Sequence, residues 1–493
     1  MRDRRSVSTV PRRTSLILRV VVALVGTLAL ILPAGAANAQ SPWSPPTVLS
    51  TDGAYSFNYD LASTASASVA IWNSAGASPN RAQVSRTVNQ GVTWSTPQFL
   101  SPADGQAFEV AIHAFGDQHF TATWVDGDAE LMASTSADAG LTWSSAQRVA
   151  SGVHRFSGIT SLPNSTLIVS WMDVDNKAFI ATSTNAGATW QEPTDPPAVV
   201  TNTFFLQSCP NNELIAVWFA NGGTSSKRSN DAGQTWTSAQ SIASSGYPQQ
   251  IAVTQGGRAA LAWRDNANPT RIHVTLSDCD HASLWGASTP ISSETESSSF
   301  ADLTANGEGF IAAWGQEQPS GNSVIHASVL DGAGNSWSEP VPLSDPGTLA
   351  AYVTLAANEL GTVVATWYTS YNYNPVQDTI SFAVSQNSGA SWSAPGEFFT
   401  PESSISTVSS LFVTQQQSII ALWAAGSPRY SLFSSSIVHS DTPTPIINPA
   451  ELARTGSSSE SQLGWLAAAT LFTGAAATWG WLRARRRETP ARR

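Results

Sequence analysis

The chain has 493 residues, of which 42% are hydrophobic and only 12% charged, with 19 Trp, 34 Gly and a formal net charge of −11. That length holds two or three ordinary domains or one large repetitive one, and the Ser-, Thr-, Gly- and Trp-rich composition excludes a mainly helical or disordered protein. Residues 1–39 and 456–493 hold six Arg each, and removing both ends leaves 12 basic and 32 acidic side chains, a stretch at about −20; such a surface repels phosphate backbones, so nucleic acid is not a partner.

In chain order, residues 1–39 read as a signal peptide. Six Arg (Arg2 to Arg19) precede an apolar run from Val20 to Leu32, then Pro33 and the small-residue site Ala37-Asn38-Ala39. The apolar run is too short to span a bilayer, so cleavage is expected between Ala39 and Gln40. Residues 40–438 form the body. A Thr/Pro linker occupies 439–451, followed by Leu452-Ala453-Arg454-Thr455-Gly456, a Ser-rich spacer, an apolar stretch over 463–482 and the basic residues Arg483, Arg485, Arg486 and Arg487. The apolar stretch is long enough for a membrane helix, with the basic tail on the cytoplasmic side. Pentapeptide, span and basic tail in this order resemble a sortase sorting signal, in the LAxTG form used by high-GC actinobacteria. The resemblance implies cleavage between Thr455 and Gly456 by a transient sortase partner. It also implies covalent transfer to peptidoglycan and display at the cell wall of a Gram-positive bacterium. A simple single-pass membrane anchor is the alternative.

The body is repetitive. Sixteen of the 19 Trp fall into two interleaved series, Trp43, Trp94, Trp143, Trp190, Trp236, Trp285, Trp337 and Trp392, and Trp72, Trp124, Trp171, Trp218, Trp263, Trp314, Trp367 and Trp423. A period near 50 residues is that of a four-stranded propeller blade. Most members of the first series end one motif, complete as Ser136-x-Asp138-x-Gly140-x-Thr142-Trp143 and Ser229-x-Asp231-x-Gly233-x-Thr235-Trp236. Asn89, Asn185 and Asn387 stand at the Asp position of three further copies. An Asp or Asn that accepts turn N–H groups, a Gly for the unusual backbone and a Trp to cover the turn make a hairpin connection. The motif resembles the Asp-box (BNR repeat) of sialidases and related propellers. In that family these turns lie on the face away from the active site, and the propeller has six blades where this sequence has eight repeats.

Each repeat reads as four short strands, in the second one Phe108 to Ala114, His119 to Val125, Glu130 to Thr135 and Trp143 to Ala150. The body opens with a lone strand, Trp43 to Ser50, and ends with three, about 407–413, 418–423 and 429–437. The expected fold is therefore all-β: an eight-bladed β-propeller of four-stranded blades, closed by the N-terminal strand, with hydrophobic helices at the N- and C-terminal ends. Two smaller domains are the competing architecture. The only cysteines, Cys209 and Cys279, fall in turns expected on one face of adjacent blades; a disulfide and two buried free thiols both remain open.

Ligands of propellers normally meet the loops after the second strand. Candidates there are Asp126, Asp173, Arg264, Asp265, Glu317, Tyr371 and Arg429. A ring of Asp with Tyr and Trp suits sugar hydroxyls, and calcium is the one ion it would suit; no other cofactor and no metal cluster is implied. The same Asp residues also read as ordinary turn formers. The sialidase resemblance would require three Arg, a Tyr–Glu pair and an acid/base Asp, with the first Arg early in an Arg-Ile-Pro setting. Here the first Arg of the body is Arg81, followed by Ala82-Gln83, and the nearest echo is Arg271-Ile272-His273 in the fifth repeat, so no catalytic residue carries over. The expected function is non-catalytic binding of a glycan or a surface protein. An exo-acting glycoside hydrolase of sialidase-like type with a diverged site is the alternative.

Overall fold

The computed structural model describes residues 43–50, 58–74, 80–192, 198–199, 203–330, 332, 336–370, 379–398, 405–425 and 431–438. The signal peptide with Ala39 and Gln40, the linker, Thr455, Gly456 and the 463–482 span lie outside them, as do Tyr371 and Arg429. Among the described residues no helix is long and apolar enough to cross a membrane.

Eight antiparallel four-stranded sheets make an eight-bladed propeller. Blade 2 is typical, with strands Phe108–Phe115, His119–Val125, Glu130–Ser136 and Gln147–Ser151. Inner strands match the sequence-derived bounds within a residue or two. Outer strands are shorter than expected: Trp143 precedes its strand, and the segment expected from Trp43 to Ser50 is a regular strand only over Thr47–Val48, with the N–H groups of Ser44 and Leu49 adding single bonds to Ser436 and Leu432. The cause is visible in the chain. Pro45 and Pro46 precede Thr47–Val48, and Pro97, Pro290, Pro340, Pro342 and Pro395 lie in or beside the two-residue outer strands of blades 1, 5, 6 and 7, where a missing N–H removes ladder bonds; the outer strand of blade 2, which has no proline, runs five residues.

The second strands are buried on both faces. In Leu214–Ala220 every residue but the last is buried. Blades stack face to face, so their central strands read as continuous apolar runs instead of alternating ones. Apolar cores lie between neighbours: Val69, Ile71 and Val84 of blade 1 pack with Val110, Ile112, Phe120 and Trp124 of blade 2. The second Trp series supplies the bulk, since Trp72, Trp124, Trp314, Trp367 and Trp423 are each 2% exposed or less. Truncating such a ring to Ala costs roughly 3–5 kcal/mol.

The ring of packing is continuous from the last blade to the first. Phe412, Ile420 and Leu422 of blade 8 share one core with Tyr59, Leu61 and Trp72 of blade 1. Thr47 and Val48 pair with Ser434 and Phe433 of the last strand, Ser431–Ile437. Trp43 packs its ring 4.4 Å from Phe398 of blade 7.

The innermost strands are also tied together by buried carboxylates. Asp60 accepts the N–H of Leu61 at 2.8 Å and that of Ile112, in the next blade, at 3.0 Å. Asp302 does the same for Leu303 (2.8 Å) and Leu355 (2.7 Å), and receives the Gln250 amide at 3.2 Å.

The turns between third and fourth strands are built alike. In blade 2, Asp138 Oδ1 accepts the N–H of Thr142 (2.9 Å) and the Ser136 hydroxyl (2.8 Å), while Oδ2 accepts the Thr142 hydroxyl (2.6 Å). Trp143 Nε1 donates to the Gly140 carbonyl at 3.3 Å. In blade 4, Asp231, Ser229, Thr235, Gly233 and Trp236 repeat these bonds. Where Asn replaces Asp, its oxygen keeps the backbone bond and its Nδ2 donates to the hydroxyl, at 2.9 Å from Asn89 to Thr93, Asn185 to Thr189 and Asn387 to Ser391. Gly140 sits at φ +78°, and a Cβ there would stand 2.6 Å from Val69 Cγ2 of blade 1. The turn thus leans on the preceding blade, which explains why glycine recurs in it.

Candidate functional site

The loops after the second strands hold the Asp residues predicted to meet ligand. Asp126 Oδ1 accepts the N–H groups of Asp128 (2.9 Å) and Glu130 (3.0 Å). Asp173 Oδ1 does the same for Asp175 and Lys177, both at 2.9 Å. These carboxylates shape their own turns, which is the turn-forming reading of the sequence.

Asp265 differs. Its Oδ1 accepts Arg271 N–H at 2.7 Å and its Oδ2 meets His273 Nε2 at 3.0 Å. The His273 ring lies flat on Trp263, with centroids 4.3 Å apart. Burial alone would raise the Asp265 carboxyl, but the N–H of Arg271, the His273 ring and the N–H of Ala267 hold it below the usual range. Of the other candidates, Arg264 ends the strand Arg258–Arg264 and pairs with Tyr247 and Ile272, while Glu317 is exposed at the end of Gly309–Glu317. Arg271 Nη1 lies 3.2 Å from Glu294. Asp126, Asp173 and Asp265 therefore sit on separate blades, each held within its own loop. Among the described residues no group of three or more His, Cys, Asp or Glu could hold a metal ion.

A cavity of about 180 Å³ opens at the other end of the innermost strands. Its walls come from blades 2 to 7, at the turns between first and second strands. The seven-residue strands put it about 20 Å from the Asp-bearing loops. Thr160, Ser161, Gln207, Ser208, Thr254, Gln255, Thr304 and Asn358 give it a lining of hydroxyls and amides. Among the described residues, His113 and Glu359 are the ionisable side chains of the lining, Cys209 being tied in a disulfide. Burial pushes the His113 imidazole down to about 4, so it is neutral at pH 7; its Nε2 lies 3.0 Å from Ser161 Oγ. A concave, hydroxyl-rich wall with one carboxylate can exchange hydrogen bonds with a polyhydroxylated ligand. Among the described residues the lining holds one carboxylate, where glycoside hydrolysis uses two.

Sequence reasoning missed these residues. They follow apolar positions of the first strands, as Gln207 follows Leu206 and Thr160 follows Ile159, and only a committed register would have aimed them at the axis. The disulfide left open by the sequence is formed: Cys209 and Cys279 join blades 4 and 5 at the rim of this cavity, with Cα atoms 5.8 Å apart.

No family model and no curated protein matches the sequence. Among solved structures, the BP39L lectin of Burkholderia pseudomallei is 16% identical with a TM-score of 0.49, over 70% of this chain and 100% of that one. A polysaccharide lyase acting on ulvan is 10% identical with a TM-score of 0.45, over 65% and 90%. The NanB sialidase of Streptococcus pneumoniae is 12% identical with a TM-score of 0.36, over 67% and 68%. Likeness at this level carries nothing about function.

Proposed function

We propose that this chain is a surface-displayed propeller that binds neutral glycans without cleaving them. The observation that carries the reading is the lining of the central cavity, neutral hydroxyls and amides with a single carboxylate, Glu359. Hydrolysis of a glycoside uses two carboxylates about 5–10 Å apart, one of them a proton donor. Asp126 and Asp173 are held by the N–H groups of their own turns, and so supply no second one.

The rest of the reading comes from the sequence. Residues 1–39 are proposed as the export signal and 452–493 as the sorting signal. Sortase would join Thr455 to peptidoglycan, so that the propeller faces outward from the wall. The five Asp- or Asn-bearing turns are read as Asp-box repeats, supported by their common bonding pattern. The pairing of Thr47 and Val48 with the last strand supports closure of the ring by the N-terminal segment.

The test is turnover of a panel of fluorogenic glycosides, α-sialosides included, by the purified full-length chain with and without calcium, followed by a glycan array. Binding without turnover supports the reading. Turnover abolished by Glu359→Gln makes the protein an enzyme instead.

A further inference from the structure

The other end of the innermost strands carries a feature that neither the turns nor the cavity uses. Glu109, Phe300 and Tyr352 have left-handed backbones, at φ 44°, 43° and 57°. Each lies three residues before an apolar core residue of a first strand, Ile112, Leu303 or Leu355, and each sits at a register shift in its strand pair. A bulky side chain in this region of backbone space is an outlier that persists only where its surroundings over-determine it, and such outliers cluster at ligand sites. A bulge also re-aims the side chain it carries.

Glu109 has a structural reason for its placement, since its Oε2 accepts the N–H of Phe156 in the next blade at 2.6 Å. Phe300 has no polar group to place. The residue is 43% exposed, and its ring leans on Tyr352 of the next blade, with centroids 4.7 Å apart and planes at 47°. Core packing does not explain an aromatic ring held outward at a strained position.

We propose that Phe300 and Tyr352 form a stacking platform for a pyranose ring of a glycan, a second subsite at the opposite end of the innermost strands from the cavity. The C–H face of a pyranose offers a flat apolar surface, and its edges carry hydroxyls. The platform offers two ring faces, with the Tyr352 hydroxyl and the Gln249 amide as polar partners. Gln249 is beside it, its oxygen accepting the N–H of Ala301 at 3.3 Å. Both aromatic residues belong to innermost strands. The proposal stands apart from the reading of the cavity, because it uses different residues about a strand length away.

The test is saturation-transfer NMR and titration of the full-length chain with β-1,4-linked glucose, galactose and N-acetylglucosamine oligomers. The expected result is saturation passing from aromatic protons to ring C–H protons of at least one probe. Phe300→Ala and Tyr352→Ala should each weaken that binding tenfold or more, and Phe300→Trp should hold it within threefold. Phe300→Gly should unfold no more easily than the parent, because glycine relieves the backbone, and should still lose binding. Unchanged affinity in Phe300→Ala, or no binding of any probe, overturns the platform. Loss in Gln207→Leu with none in Phe300→Ala also overturns it and leaves the cavity reading standing.

Discussion

The turns of blades 4 and 5 occupy corresponding places and are held in unlike ways. In blade 4, Ser229 to Trp236 fold around Asp231, and Gly233 takes a left-handed backbone that lets the turn lie against Ile180 of blade 3. In blade 5 the stretch from Ser277 to Trp285 is one residue longer and has no glycine. It cannot settle on its neighbour in the same manner. Asp280 holds a local turn through Ala282 N–H (3.1 Å), and the junction is fastened by the Cys209–Cys279 disulfide and by Arg228 of blade 4, which donates to Ser277 Oγ at 2.6 Å. A blade junction that loses its glycine-packed turn is secured by a covalent link.

Removing that link should have the largest effect. Cys209→Ser with Cys279→Ser opens a 70-residue loop, and a loss of about 2–4 kcal/mol is expected in urea unfolding; equal stability of parent and double variant would show that blade 5 is fastened by other means. On the regular side, Gly140→Ala forces Cβ towards Val69 at an unfavourable φ. It should lower stability by about 2 kcal/mol, read from the same unfolding curves. A neutral result there would remove the steric basis of the comparison.

Two carboxylates give pH dependences of opposite sign. Burial raises Asp302 to about 6, against the N–H bonds of Leu355 and Leu303 and the amide of Gln250. A raised folded value means stability present below the unfolded value of about 3.9 and lost as pH rises through about 6. The parent should therefore lose part of its Tm across that window and Asp302→Asn should not. Asp138 is held at about 2, because the hydrogen bonds of Thr142, Ser136 and Leu141 outweigh burial. Its contribution is present above about 3.9 and disappears as pH falls towards about 2. The smallest effect expected is that of Asp138→Asn at pH 7, under about 1 kcal/mol, since Asn89, Asn185 and Asn387 already support the same turn. A large loss would mean that the Asp and Asn forms are not equivalent.

The architecture was legible because its signals are periodic. Trp124, Trp314 and Trp423 mark the ends of second strands, and the spacing from Ser136 to Trp143 marks a turn whose every polar side chain is used. The first outer strand was drawn too long because Pro45 and Pro46 were not weighed against the ladder, whereas no proline marks the late start of Gln147–Ser151 after Trp143. The site was less legible. Asp126 and Asp173 have the same residue type whether they bind a ligand or their own loop, and only the hydrogen bonds separate the two. Gln207 and Thr160 carry no motif, and the left-handed backbone of Phe300 has no sequence signature outside glycine and asparagine.

The most direct measurement is calorimetric titration of the full-length chain and its Gln207→Leu variant with neutral oligosaccharides, with product analysis of the same samples. Binding without released sugar, weakened at least tenfold by Gln207→Leu at unchanged Tm, is the predicted result. Released sugar, or equal affinity in the two proteins, would contradict a non-catalytic glycan site in the central cavity.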